Sequence, residues 1–121
     1  MKLTFVGYET PSGNKFHKQH WRVYSAHKKK VVGMAMDAFA VVGQAHGERK
    51  MAIKFTAYRK RLLDTDNLQM GLKAFRDALV VAGFLRDDSP KWAVFQYEQF
   101  TLKDSPWEKT PGLVIQIQAL D

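Results

Sequence analysis

The sequence predicts an α+β fold, a single compact domain in which a mixed β-sheet packs against two main helices, and three observations lead there. Segments alternating apolar and polar residues stand apart from segments with three- and four-residue apolar spacing. Their order is strand, helix, strand, helix, strand, strand, which favours helices laid on a sheet. The chain of 121 residues, 45% hydrophobic and 12% aromatic, suits one core, so 1–121 is read as one domain.

Lys2 to Tyr8 alternates and reads as the first strand. Ser25 to about Gly43 carries Val31, Met34, Ala35, Ala38, Phe39 and Val42 at helical spacing, an amphipathic helix entered through "HKKK" and stopped near Gly43 or Gly47. Met51 to Tyr58 places Met51, Ile53, Phe55 and Ala57 on one face of a second strand. Asn67 to about Ala82 repeats the helical pattern through Leu68, Leu72, Phe75, Leu79 and Ala82; Asp66 or Thr65 is the expected N-cap and Gly83 the stop. Trp92 to Leu102 and Gly112 to Leu120 are the last two strands, joined by the loop "KDSPWEKTPG".

Charge is distributed unevenly. Residues 1–61 hold 13 Lys and Arg against 3 acids, a balance of +10, and residues 62–121 hold 6 against 9, a balance of −3. A basic front half suits a polyanion, since Lys and Arg release condensed counterions when they neutralise phosphates. Zero cysteines exclude disulfides, thiolate nucleophiles and thiolate metal sites. No apolar run approaches the roughly 18 residues of a membrane span, and the start lacks the succession of a signal peptide. A soluble, cytoplasmic protein without a membrane partner is the expectation.

Four acids bracket the second main helix: Asp64 and Asp66 before it, Asp87 and Asp88 in "LRDDSP" after it. If the strands on either side are neighbours in the sheet, both pairs fall at strand ends and can meet. Clustered carboxylates repel unless a cation offsets them, and magnesium takes oxygen ligands, commonly one or two carboxylates plus phosphate oxygens. Phosphodiester hydrolysis is the matching reaction class. Lys73, seven residues past Asp66, shares a helix face with Asp66 and Met70, and Asp77 four further on is its expected ion-pair partner. Read singly, an aspartate at a helix start is a cap and Asp-Asp-Ser-Pro is a turn.

Two basic segments complete the pattern. In "PSGNKFHKQHWRVYSAHKKK", Asn14, Lys15, Lys18, Arg22, Lys28, Lys29 and Lys30 interleave with Phe16, His17, His20, Trp21 and Tyr24, a mixture of phosphate contacts and stacking faces. His17 and His20 lack a third metal ligand nearby in sequence. In "YRKRLL", Arg59, Lys60 and Arg61 directly precede the first acids.

"DTDNLQMGLKAFRDALVVAGFLRDDSPKW" resembles the RusA family of Holliday junction resolvases, and "TPSGNKFHKQHWR" is similar to the Pro-Ser-x-Asn segment near that family's N-terminus, so the likeness spans roughly residues 7–92. The family pattern of Asp-x-Asp-Asn-Leu, a lysine and an Asp-x-Leu on the following helix, a glycine and Asp-Asp-Ser reads here as Asp64, Asp66, Asn67, Leu68, Lys73, Asp77, Leu79, Gly83, Asp87 and Asp88. The resemblance implies a RusA-like fold, metal-binding and catalytic acids at Asp64, Asp66, Asp87 and Asp88, and a catalytic lysine at Lys73; some members carry the lysine where this chain has Met70. Here Gly13 precedes Asn14 in the Pro-Ser segment. It further implies magnesium, with manganese as a substitute, a homodimer, four-way or other branched DNA as substrate, a role in recombination and repair, and a phage or prophage gene in a bacterial cytoplasm. A non-catalytic nucleic-acid-binding module, its acids serving as caps and turns, uses the same basic segments and stays open as the alternative. A hydrolase of free nucleotides uses the acids but leaves the basic half without a purpose.

Overall fold

The computed structural model describes residues 1–17, 21–42 and 48–120. In chain order it contains β1 (Lys2–Val6), the single turn α1 (Asn14–His17), α2 (Trp21–Val42), β2 (Met51–Arg59), α3 (Thr65–Gly71), α4 (Lys73–Ala82), β3 (Ala93–Thr101), a 3₁₀ turn (Leu102–Asp104) and β4 (Gly112–Ala119). The strands form one mixed sheet in the order β1-β4-β2-β3. β4 runs antiparallel to both β1 and β2, whereas β2 and β3 are parallel, with Met51 opposite Ala93 and Arg59 opposite Thr101. A parallel pair needs a crossover, and α3 with α4 supplies it. The expected α+β architecture is therefore present.

The strand alternation decides which face is covered. Leu3, Ile53, Phe55, Ala57, Leu113, Ile115 and Ile117 turn inward against Val31 and Ala35 of α2, Leu68 of α3 and Phe75, Ala78 and Leu79 of α4. Burying one such large aliphatic or aromatic side chain contributes roughly 1.5–3 kcal/mol. Lys2, Thr4, Gln96, Gln116 and Gln118 alternate with these and stand exposed on the opposite face. Among the described residues no helix is long and apolar enough to cross a membrane.

Several boundaries differ from the sequence reading, each for a local reason. β1 stops at Val6 because Gly7 turns the chain at φ +88, its amide donating to the Pro111 carbonyl at 2.8 Å. α2 begins at Trp21, one turn before Ser25, so "HKKK" lies inside the helix, where lysine is a good helix former. Its expected stop at Gly43 or Gly47 lies outside the described residues. The second main helix is two: Leu72, at φ −98 and ψ 0, interrupts the regular turn and separates α3 from α4. Gly83, at φ +100, ends α4 as its position predicts.

Candidate functional site

The path that leads to the acids is pinned from three sides. The Arg59 guanidinium donates to the Thr10 carbonyl at 2.6 Å and to the Arg61 carbonyl. The Lys60 amide donates to Glu9 Oε2 at 2.7 Å, and Leu63 exchanges two hydrogen bonds with the Gln99 side chain at 3.0 and 2.6 Å. The two neutral Leu63–Gln99 bonds contribute about 0.5–1.5 kcal/mol each. The contacts from all three sides together fix where β2 hands over to α3.

Asp64 then caps α3. Its Oδ1 accepts from the Asn67 amide at 2.8 Å and its Oδ2 from Asn67 Nδ2 at 2.9 Å. The expected cap at Asp66 or Thr65 is corrected to Asp64, whose extended backbone at φ −66 and ψ 163 aims the carboxylate at the orphan amides. Asp66 is thereby left free of capping and exposed in the first turn.

A second segment docks on α3 through two glycines. A Cβ at Gly71 would meet the Pro11 carbonyl oxygen at 1.9 Å, and one at Gly13 would meet Met70 Cβ at 2.6 Å. The Gly13 amide donates to the Asn67 carbonyl at 2.9 Å. This close approach carries Asn14 to the acids.

The result is an open cavity of about 540 Å³ whose wall includes Asp64, Asp66, Asn14 and Lys73. Asn67, Gln69, Met70 and Arg76 complete it. The predicted common face of Asp66, Met70 and Lys73 is thus present, although the helix breaks at Leu72. Lys73 Nζ stands 5.8 Å from the centre of the Tyr24 ring, at the outer reach of a cation–π contact. Its expected partner Asp77 turns instead to α2, accepting from Tyr24 Oη at 3.1 Å and facing Lys28 Nζ at 3.6 Å. Burial, then the Asp77 charge and hydrogen bond, push the Tyr24 hydroxyl up to about 12, so it stays a proton donor at neutral pH.

The second acidic pair is placed differently. Because β2 and β3 run parallel, the exit of β2 and the entry of β3 lie at opposite ends of the pair, so strand ends do not bring Asp87 and Asp88 to Asp64 and Asp66. Asp88 reaches back only as far as Arg76, with Oδ2 3.7 Å from Nη2. Asp87 is exposed and does not line the cavity. Among the described residues no three His, Asp or Glu side chains are grouped closely enough to hold a metal ion. Asp64 and Asp66, with the side chains of Asn14, Asn67 and Gln69 in the same wall, offer carboxylate and amide oxygens and no imidazole or thiolate. That set matches magnesium, which uses one or two carboxylates and keeps waters. Asp64 can accept further bonds, since a carboxylate offers about four lone-pair sites.

The basic residues divide in the same way. Lys15, Arg22 and Lys30 line a neighbouring groove with His27. Burial, then the charges of Lys15 and Lys30, hold the His27 imidazole below its usual value of 6.5, and its Nε2 lies 3.2 Å from Tyr8 Oη. Lys29, Lys60 and Arg61 are exposed, whereas Lys28 faces Asp77 and Arg59 is engaged with carbonyls. Lys18 and His20 lie outside the described residues. Phe16 packs edge-on against Tyr24, while Trp21 is 67% exposed beside Arg22.

Arg76 is the residue the sequence reading passed over. Its signal was a spacing: it follows Lys73 by three, and so shares the helix face that leads back to Asp66. No protein-family model matches the chain, and no curated protein matches it in sequence.

Proposed function

We propose that the protein is a magnesium-dependent endonuclease that hydrolyses phosphodiesters in branched DNA, four-way junctions foremost, acting as a homodimer. The observation that carries this reading is the single cavity in which Asp64, Asp66, Asn14 and Lys73 meet, beside the groove of Lys15, Arg22 and Lys30. The RusA-like order of those residues supports it further.

Within this reading, Asp64 and Asp66 hold the divalent ion, which when bound supplies Lewis-acid polarisation of a phosphate oxygen. Asn67 fixes the Asp64 carboxylate through its amide and side chain, so no reorganisation of that group is needed during reaction. Lys73 places an ammonium at the cavity wall, where it offsets charge growing on the phosphate. The groove cations hold neighbouring phosphates and orient the strand. Two copies related by a two-fold axis present two equivalent cavities to two equivalent strands of a junction.

Incubation with labelled four-way junctions and magnesium tests the proposal. Asp66→Asn is expected to lower cleavage on the order of 100- to 1,000-fold, the range for losing one electrostatic partner of a transition state. Wild-type protein that leaves junctions, forks and flaps intact with magnesium or manganese would refute it.

A second reading is favoured by the capping role of Asp64 and by the lack of a three-acid group among the described residues. In it the protein binds branched nucleic acid without cutting it. It predicts junction affinity indifferent to magnesium and to Asp66→Asn, and calorimetric magnesium binding that depends on Asp66 would remove it.

A further inference from the structure

Arg76 is the most constrained cation of the cavity wall. Its guanidinium carbon lies 4.3 Å from the centre of the Phe95 ring, so β3 supports the plane from one side. Nη1 donates to Tyr97 Oη at 3.4 Å. Burial raises the Tyr97 hydroxyl above its usual range, against the opposing pull of Arg76, so Tyr97 keeps its proton.

The remaining edge of the guanidinium, Nε and Nη2, has no acceptor within hydrogen-bond distance among the described residues. Nε is buried without a hydrogen-bond partner among the described residues. Nη2 faces Asp88 at 3.7 Å, close enough for the charge to orient the fork and beyond ordinary hydrogen-bond range. Nε and Nη2 are the pair of donors that grips an oxyanion through two parallel bonds. A planar fork that is stacked, charged and still short of acceptors loses little freedom when an oxyanion arrives.

We infer that Arg76 is the phosphate-binding residue of this cavity and that Asp88 is its positioning residue, outside the set that holds the divalent ion. The inference rests on the phosphodiesterase reading for its substrate and names how that substrate is gripped. Without ligand, and with Asp88 counted beside Arg76, three carboxylates face two cations, Lys73 and Arg76. A divalent ion therefore leaves a net positive charge that a phosphodiester answers, and the arriving phosphate fills the hydrogen bonds that Asp88 leaves open. Asp88 sits on the turn before β3, and Phe95 and Tyr97 are on β3 itself, so one strand and its approach hold the whole fork.

Three titrations on the full chain test this. Inorganic phosphate is titrated into the magnesium-loaded protein, magnesium alone into the free protein, and junction cleavage is resolved into kcat and KM. Arg76→Gln is expected to weaken phosphate binding at least tenfold while magnesium affinity stays within twofold of wild type. Arg76→Lys, which keeps charge and loses the fork, is expected to recover only part of the phosphate affinity. Asp88→Asn is expected to leave magnesium affinity within twofold, weaken phosphate several-fold and raise KM, with Asp88→Glu restoring both. Thermal midpoints and near-ultraviolet circular dichroism establish that each variant is folded.

Phosphate affinity unchanged in both Arg76 variants overturns the assignment of Arg76. Asp88→Asn weakening magnesium as much as Asp66→Asn does overturns that of Asp88. If wild type binds phosphate through Arg76 and cuts no junction, the endonuclease reading falls and the binding assignment stands.

Discussion

The two acidic pairs look alike in sequence, each flanking the same helical segment, and the fold treats them in opposite ways. Asp64 and Asp66 sit where a strand exit, a helix start and a glycine-docked loop converge, so both line a cavity with cations and amides. Asp87 and Asp88 sit in a turn before a strand that runs parallel to the first, and among the described residues Asp88 faces Arg76 across the crossover while Asp87 is exposed. Proximity along the chain and chemical likeness do not assign equal roles. The neighbours that tertiary structure supplies do that.

Substitutions that separate the pairs should grade accordingly. The largest effect on folding is expected from Gly71→Ala, which forces a Cβ into the Pro11 carbonyl; overpacking of this kind costs about 1–3 kcal/mol. Urea unfolding should show that loss together with weaker junction binding, because Asn14 rides on the displaced segment. A wild-type midpoint for Gly71→Ala would mean the first pair does not depend on that docking.

Next comes the cap. Asp64→Ala is expected to lower stability by about 1 kcal/mol, whereas Asp64→Asn, which still accepts from the α3 amides, should stay near wild type while losing the carboxylate. Denaturant midpoints for the two variants divide the capping role of Asp64 from its charge. Equal destabilisation by both would assign the effect to charge at the helix start.

Smaller still is the second pair. Asp88→Ala removes a half-exposed ion pair worth roughly 0–1 kcal/mol, and Asp87→Ala should change stability by less than about 0.5 kcal/mol. A loss at Asp87 matching that at Asp64 would erase the contrast between the pairs.

The mildest test uses pH and lies in the basic groove. His27 has a depressed folded-state value, so the unfolded chain takes up the proton first; stability from the neutral imidazole is fully present above the unfolded value near 6.5 and is lost as pH falls below it. Thermal midpoints at pH 8 and pH 5 should converge more closely in His27→Gln than in wild type. Because no carboxylate of either pair is involved, this variant isolates the groove from the cavity.

Much of this was legible in the residues. Alternation in Met51–Ala57 and Leu113–Ala119 marked the buried sheet face, and the spacing of Leu68, Phe75 and Leu79 marked the face of the crossover. The order of Asp64, Asp66, Asn67 and Lys73 marked the cavity wall. Arg76 was hidden because its significance lies in Phe95, Tyr97 and Asp88, none of them its sequence neighbour. The cap falls on Asp64 and not on the expected Thr65 or Asp66, because capping depends on backbone angles that any of three adjacent polar residues can adopt.

The sequence by itself determined the element types, the core face and the order of the acids, amides and lysine that line the cavity, since periodicity and side-chain chemistry are local properties. Tertiary structure alone decided that β2 and β3 run parallel, that Asp77 faces Tyr24 and Lys28, and that Arg76 lines the cavity with the first acidic pair while facing Asp88. Strand direction and long-range approach are settled by which surfaces bury together, and no short stretch of the chain encodes that.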